Sequence, residues 1–219
     1  MRRKIAILIS GRGSNMLSLL DLQQQADFPA EISLVLSNRP DAKGLLGASK
    51  AGVQTAIVDH KEFSDREAFD QAMNSVLEAH GVNLVVLAGF MRILSPWFVE
   101  SWQGRLINIH PSLLPLFRGI DTHRRALDAG VRIHGCTVHY VVPELDAGPI
   151  IAQAAVPVLP DDTEESLSAR VLAQEHLLYP QALRMICNDA VSLQGGRAVY
   201  HPAQKWSSAN DTLLSPVLV

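Results

Sequence analysis

The first half of the chain alternates short apolar runs with segments whose apolar residues recur at helical spacing. The apolar runs predict strands over 5–9, 32–36, 54–58, 83–88 and 105–110, and the helical spacing predicts helices over 16–25, 44–51 and 64–80. Continuously apolar strands are typical of a sheet covered by helices on both faces. The alternation therefore predicts an α/β fold with a mostly parallel, doubly wound sheet.

The second half of the chain predicts longer elements and a change in strand direction. Residues 131–142 and 149–158 are predicted as strands of a partly antiparallel extension. A long amphipathic helix is predicted over 163–187, with Pro180 as a candidate kink, and a hairpin over 192–199. The tail from Pro202 is expected to be loosely ordered. No repeat or linker divides the sequence, so we expect one domain.

Charge and composition argue against several classes of partner. The 219 residues carry a formal net charge of −3 and no polybasic run, so neither nucleic acid nor a membrane is expected as a partner. No apolar stretch approaches the roughly 20 residues of a membrane span, and the basic, then apolar start is better explained as a strand than as a signal peptide. Cys136 and Cys187 have no metal-binding spacing, which favours buried thiols in a cytoplasmic protein and no metal.

Two polar side chains lie at the end of the strand predicted at 105–110. Asn108 and His110 project from the same face, because side chains alternate along a strand. Pro111 has no amide hydrogen and restricts the preceding residue to an extended conformation. A carboxamide can hold an oxyanion, and an imidazole can move protons near neutral pH. The pair is thus a candidate catalytic site.

Asp146 lies in the loop between the two long predicted strands and is the carboxylate best suited to support such a site. Near His110 it would stabilise the imidazolium and fix its orientation. Seven other histidines occur, of which His60, His80 and His201 are expected at the surface or in turns. A hydrogen-bonded structural role is the default for the other four, which are His134 and His139 in a predicted strand and His123 and His176 in helices. The residues alone support a catalytic and a structural interpretation of His110 equally.

Two further segments follow predicted strands and are candidate binding sites. Gly11 to Asn15 connects a strand to a helix, so backbone amides and the helix N-terminus converge on a natural phosphate seat. The spacing is neither a dinucleotide fingerprint nor a P-loop, and a capped tight turn explains it equally well. After the strand at 83–88, the side chains of Met91, Ile93 and Leu94 either line a slot for a flat ring or start the core of the next helix.

These segments together resemble the phosphoribosylglycinamide formyltransferase family, over residues 4–187. The resemblance rests on four stretches in the family's order, with Gln174-Glu175-His176 after them: Ile-Ser-Gly-Arg-Gly-Ser-Asn at 9–15, Val-Leu-Ala-Gly-Phe-Met-Arg-Ile-Leu-Ser at 86–95, Asn-Ile-His-Pro-Ser-Leu-Leu-Pro at 108–115, and Glu-Leu-Asp-Ala-Gly-Pro-Ile at 144–150.

The resemblance implies a Rossmann-like formyltransferase fold and transfer of a formyl group from 10-formyltetrahydrofolate to the amine of glycinamide ribonucleotide in purine biosynthesis. It implies a single formyltransferase domain over 1–200, with a phosphate-binding half (1–100) and a folate-binding and catalytic half (101–200), followed by a tail over 201–219. It also implies small-molecule substrates, no metal, and a monomer or weak homodimer.

The resemblance assigns three groups of site residues by position. Asn108, His110 and Asp146 would be catalytic. The ribonucleotide phosphate and glycinamide would be bound by Gly13, Ser14, Asn15 and Glu175. The folate contacts would be Arg66, Met91, Arg92, Ile93, Leu94, Asn108, Val142 and Asp146.

Other classes share parts of this pattern. A 10-formyltetrahydrofolate hydrolase has the same catalytic trio but typically carries a regulatory domain in front and lacks the Gly-x-Gly-Ser-Asn loop. Methionyl-tRNA formyltransferase adds a C-terminal RNA-binding domain, for which this sequence has neither the length nor the positive charge. A non-enzymatic phosphate sensor would need only the Gly-rich loop. Ala147 replaces a glycine common in the family, a small departure that leaves the transferase favoured and the hydrolase as the alternative.

Overall fold

A computed structural model describes residues 2–201, which form nine strands and six α-helices. The strands are β1 (Arg3–Ile9), β2 (Ala30–Ser37), β3 (Gln54–Ile57), β4 (Leu84–Leu87), β5 (Leu106–His110), β6 (Ile133–Tyr140), β7 (Ile150–Pro157), β8 (Val191–Gln194) and β9 (Arg197–Tyr200). The helices are α1 (Ser14–Gln23), α2 (Gly44–Lys50), α3 (Arg66–Ala79), α4 (Pro96–Ser101), α5 (Thr122–Asp128) and α6 (Glu164–Cys187).

Seven strands form one twisted sheet in the order β3-β2-β1-β4-β5-β6-β7. Strands β1 to β5 pair in parallel, whereas β6 and β7 are antiparallel to their neighbours. The predicted α/β fold and antiparallel extension are therefore confirmed. The predicted hairpin is the separate β8–β9 pair, which turns at Gly195 and Gly196.

Helices cover both faces of the sheet, as the apolar strands predicted. Along β1, Ile5, Ile7 and Ile9 belong to a core cluster packed against α1 and α6, while Ala6 and Leu8 face a second cluster formed with α3 and α4. This is the period of two expected for a strand buried on both sides. Among the described residues, no helix has both the length and the hydropathy needed to span a membrane.

The ends of several helices differ from their predicted bounds. Helix α1 begins at Ser14, two residues earlier than predicted, because Gly13 adopts a left-handed conformation (φ 73°) and forms its N-cap. Helix α6 begins behind a capping box of Thr163 and Ser166 and continues without interruption past Pro180. The prediction for the tail falls on residues 202–219, which lie outside the described residues.

The strand order identifies where a ligand is expected. The chain proceeds from β1 outward to β2 and β3, then returns so that β4 lies on the other side of β1. In open α/β sheets, the crevice at such a reversal, beyond the carboxyl ends of the strands, is the usual ligand site. The segments after β1, β4 and β5 all lie at this edge.

Candidate active site

The catalytic candidates meet at the carboxyl end of β5. His110 is buried and its Nδ1 lies 3.3 Å from Oδ2 of Asp146. The structure thus brings together the two residues that the sequence could only suggest as neighbours. Asn108 precedes His110 by two residues on the same face of the strand and is half-buried.

The loop that carries Asp146 is held in an unusual backbone conformation. Asp146 has a φ of 48°, in the left-handed region that non-glycine residues seldom adopt. Its Oδ2 accepts a hydrogen bond from the backbone N–H of Gly119 at 2.9 Å, and its side chain is 9% exposed. Strained backbone of this kind persists where surrounding contacts hold it, and it is common at functional sites.

Both ring nitrogens of His110 face acceptors. Nδ1 faces Asp146, and Nε2 lies 3.0 Å from the backbone oxygen of Phe117, to which it donates because a carbonyl can only accept. An imidazolium satisfies both acceptors with its two N–H groups. Phe117 also has a positive φ, of 53°, so this loop approaches the histidine in a second strained turn.

His139 is a member of the site that sequence reasoning assigned a structural role. Its Nδ1 donates to the backbone oxygen of Tyr140 at 2.9 Å, so its Nε2 is left to accept from the Asn108 amide at 3.3 Å. Burial lowers the pKa of His139, which favours the neutral ring. The signal that identifies it is the β5–β6 register, which pairs Asn108 with His139.

A hydrogen-bonded clamp from the antiparallel strands holds the segment after His110. Thr137 Oγ1 donates to the backbone oxygen of Ser112 at 2.7 Å and accepts from the Leu114 amide at 3.0 Å. Gln153 Nε2 contacts both Thr137 Oγ1 and the Leu114 oxygen, at 2.9 and 3.0 Å. The antiparallel extension therefore shapes the loop beside the catalytic candidates.

The Gly-rich segment runs from the loop after β1 into the first turn of α1, where Ser14 and Asn15 are the first two helical residues. No side chain caps α1, so the interpretation of this segment as a Ser- or Asn-capped turn is wrong. Asn15 instead donates from Nδ2 to Oε2 of Glu175 at 2.6 Å, across 160 positions of sequence. Burial raises the pKa of the Glu175 carboxyl.

A cavity of about 460 Å³ connects this seat to the segment after β4. Its walls include Gly13, Ser14 and Asn15 on one side and Met91 and Arg92 on the other. The cavity also extends toward the end of β2, where Ser10, Asn38, Arg39 and His60 contribute to its lining. The catalytic candidates Asn108, His110 and Asp146 do not line it.

The predicted folate segment divides into exposed and buried side chains. Met91 and Ile93 are 76% and 59% exposed, so the interpretation of them as core residues is wrong, whereas Leu94 is buried in the core. Arg92 is exposed, as is Arg66 at the start of α3. Val142, in the loop before Asp146, is half-buried.

Asp70 holds the backbone at the end of this segment, and it was not predicted from the sequence as a site residue. Its carboxylate is fully buried, and Oδ2 accepts from the Ser95 amide at 2.6 Å, just ahead of α4. Burial raises the pKa of Asp70, and the nearby charges of Arg66 and Arg92 oppose that rise. Within residues 2–201, no cluster of three or more His, Cys, Asp or Glu side chains is arranged to hold a metal ion.

Comparison with known proteins identifies the family of this chain. The formyl transferase family matches residues 3–183. The chain is 50% identical to the trifunctional purine biosynthetic protein adenosine-3 of Gallus gallus, over 87% of this chain and 19% of that protein. The chain spans between 14% and 20% of the length of the trifunctional relatives it matches.

Bacterial relatives match over nearly their whole length. The chain is 43% identical to the phosphoribosylglycinamide formyltransferase of Escherichia coli, covering 89% of this chain and 92% of that one. Its fold matches the crystal structure of glycinamide ribonucleotide transformylase 1 from Symbiobacterium toebii with a TM-score of 0.88 at 44% identity, covering 91% of this chain and 94% of that chain.

Proposed function

The chain belongs to the formyl transferase family, and from that premise we propose that it transfers the formyl group of 10-formyltetrahydrofolate to the amine of phosphoribosylglycinamide in purine biosynthesis. The observation that supports this proposal most is the group of side chains at the end of β5. There His110 contacts Asp146, and Asn108 lies two residues before His110 on the same strand. The names and coverage of the bacterial relatives support this choice of substrates.

The first chemical step is attack of the substrate amine on the formyl carbon. A carbon–nitrogen bond forms and the formyl oxygen becomes an oxyanion. Asn108 Nδ2 and protonated His110 donate hydrogen bonds to this oxygen, an arrangement in which loss of one donor costs about 10²–10³ in rate. In the free enzyme the His110 Nε2–H group is taken up by the Phe117 oxygen, so the oxyanion must displace that carbonyl.

The second step breaks the bond between the formyl carbon and the folate nitrogen. The attacking amine loses a proton and the departing nitrogen gains one, so the reaction is balanced without an oxidant or a metal. His110, held by Asp146, carries that proton or orients a water that does. Tetrahydrofolate and the formylated ribonucleotide are the products.

The two substrates bind from opposite sides of the crevice. Gly13, Ser14 and Asn15 seat the phosphate at the start of α1, and Glu175, held by Asn15, faces the glycinamide end. Arg66 and Arg92 receive the folate carboxylates, while Met91, Ile93, Leu94 and Val142 contact its apolar part. Asn108 and Asp146 contact the reacting end of the folate.

The remaining properties follow from the same proposal. Residues 1–200 act as one formyltransferase domain, monomeric or weakly dimeric, whose first half binds phosphate and whose second half binds folate and performs catalysis. Two free, buried cysteines and small-molecule substrates suit a cytoplasmic enzyme.

Incubation with 10-formyltetrahydrofolate, with and without phosphoribosylglycinamide, tests the proposal. We expect tetrahydrofolate to be released only when both substrates are present, and an Asn108→Ala variant serves as the control against a contaminating activity. Release without the ribonucleotide would instead establish the alternative, a hydrolase. No release under either condition would overturn both activities.

A further inference from the structure

Helix α6 places a fully buried hydroxyl against the two strands that carry the site. Tyr179 is 0% exposed, and its Oη donates to the backbone oxygen of Leu87 at 2.8 Å, with the Ile107 oxygen at 3.4 Å. Burial raises the pKa of Tyr179 well above its usual value, so the phenol stays protonated and keeps its donor.

The two carbonyl groups lie next to the segment after β4 and next to Asn108. Leu87 is the last residue of β4 and Ile107 immediately precedes Asn108, and the β4–β5 ladder ends with the pair Leu87 and Asn108. Tyr179 therefore holds the backbone where the folate segment leaves β4 and where the catalytic amide begins.

The same face of α6 also reaches the phosphate seat. Glu175 lies one turn before Tyr179, so both side chains project from one side of the helix. Its carboxylate accepts from Asn15 at 2.6 Å and is buried. One helix face thus contacts the first turn of α1, the last residue of β4 and the strand that carries Asn108.

We propose that Tyr179 is a positioning residue of the formyl transfer reaction, which sets the separation between the folate segment after β4 and Asn108 on β5. This inference rests on the proposed function. Catalytic geometry is sensitive to such spacing, since a misplacement of about 1 Å can cost about 10²-fold in rate. The hydroxyl touches no substrate and acts through the Leu87 and Ile107 peptide groups.

A Tyr179→Phe variant tests the inference, because it removes the hydroxyl and keeps the ring. We expect kcat to fall about tenfold or more. The KM for 10-formyltetrahydrofolate should rise, while the KM for the ribonucleotide stays within about twofold of wild type. The ribonucleotide is spared because Asn15 and Glu175 keep their contact. Tyr200→Phe is the matched control, since Tyr200 Oη donates to the Ile151 oxygen at 2.6 Å, away from Leu87 and Ile107.

Each result of this experiment is decisive. The inference is overturned if Tyr179→Phe keeps kcat and both KM values near wild type, or if both KM values change alike. It is also overturned if the variant fails to fold while Tyr200→Phe folds, since the hydroxyl then serves stability alone. A wild-type enzyme without transfer activity overturns the proposed function itself, and this inference with it.

Discussion

At the residue scale, neighbours assign the hydrogen-bonding roles of the site. The Tyr140 oxygen requires His139 to donate from Nδ1, which makes its Nε2 an acceptor and orients the Asn108 amide toward it. One N–H of Asn108 is thereby fixed and the other is left for a substrate oxygen. The Asp146 carboxylate orients the His110 ring in the same way, because it contacts Nδ1.

Replacing Asp146 by Asn tests this orientation while preserving shape. The amide cannot supply the negative charge that faces His110 Nδ1, so we expect kcat to fall by at least about 10²-fold. Ribonucleotide affinity should change little, because the phosphate seat is formed by α1. Steady-state kinetics and calorimetric titration of the ribonucleotide measure the two effects. A variant with kcat within tenfold of wild type would contradict the role of Asp146.

At the element scale, the loop between β6 and β7 depends on one close approach. A Cβ on Gly148 would lie 1.7 Å from the Tyr140 oxygen, the same oxygen that accepts from His139. The neighbouring Ala147 has no positive φ, which explains why an alanine is accommodated where the family commonly has glycine. Adjacent positions in one loop therefore differ sharply in what they tolerate.

The pair Gly148→Ala and Ala147→Gly turns this difference into a measurement. We expect Gly148→Ala to lower the free energy of unfolding by at least about 1–3 kcal/mol and to reduce kcat, because the added methyl displaces the carbonyl that orients His139. Ala147→Gly should cost at most about 1 kcal/mol. Urea unfolding and turnover assays compare the two, and equal effects would contradict the steric argument.

The start of α6 is stabilised by a partly buried ion pair between Arg170 and Asp162. Asp162, 3% exposed, accepts from both terminal nitrogens of Arg170 at 2.7 and 2.8 Å and from the Leu159 amide at 2.7 Å. The hydrogen bonds from Arg170, the largest cause, hold the pKa of Asp162 well below its usual range. Since α6 carries Glu175 and Tyr179, its anchoring bears on the site.

Asp162→Ala should lower the free energy of unfolding by about 2 kcal/mol at pH 7. The carboxylate contributes stability above the unfolded pKa of 3.8, and that contribution is lost as the pH falls below this value toward the lower folded pKa. The difference from wild type should therefore shrink in strong acid. Asp161→Ala, at an exposed neighbour, is the control, and an equal loss in both variants would contradict the ion-pair argument.

At the scale of the whole molecule, local sequence patterns predicted the sheet and four of the six α-helices of the described residues, but not α4, α5 or the contacts between distant segments. Asn108 and His110 could be placed on one face because two residues of one strand share a face. The contact of Asn108 with His139 depends on the β5–β6 register, and that of Asn15 with Glu175 on how α6 packs beside α1. No local sequence pattern predicts either of these packing contacts, nor the contact of the Phe117 carbonyl with His110.

Acid stability is a property of the whole molecule, set by histidines buried in the neutral form. Burial is the main cause that lowers the pKa of His134 to about 4, and it lowers the pKa of His123 and His139 as well. The rings of His123 and Phe117 pack edge-on against His134. The charges of His123 and His110 lower the His134 pKa further, whereas the hydrogen bond with the Pro111 backbone raises it. A folded pKa below the unfolded value of 6.5 means that protonation favours unfolding.

The stability that neutral His134 contributes, up to about 3 kcal/mol, should therefore be constant above about pH 6.5 and be lost between that pH and about 4. His134→Asn keeps an N–H group that can donate to the Pro111 carbonyl and removes the titration, so its unfolding free energy should depend less on pH. Urea unfolding of both proteins at pH 8, 7, 6 and 5 measures the slopes. The window lies above that of Asp162, so the two effects separate. An unchanged slope in His134→Asn relative to wild type would contradict the assignment.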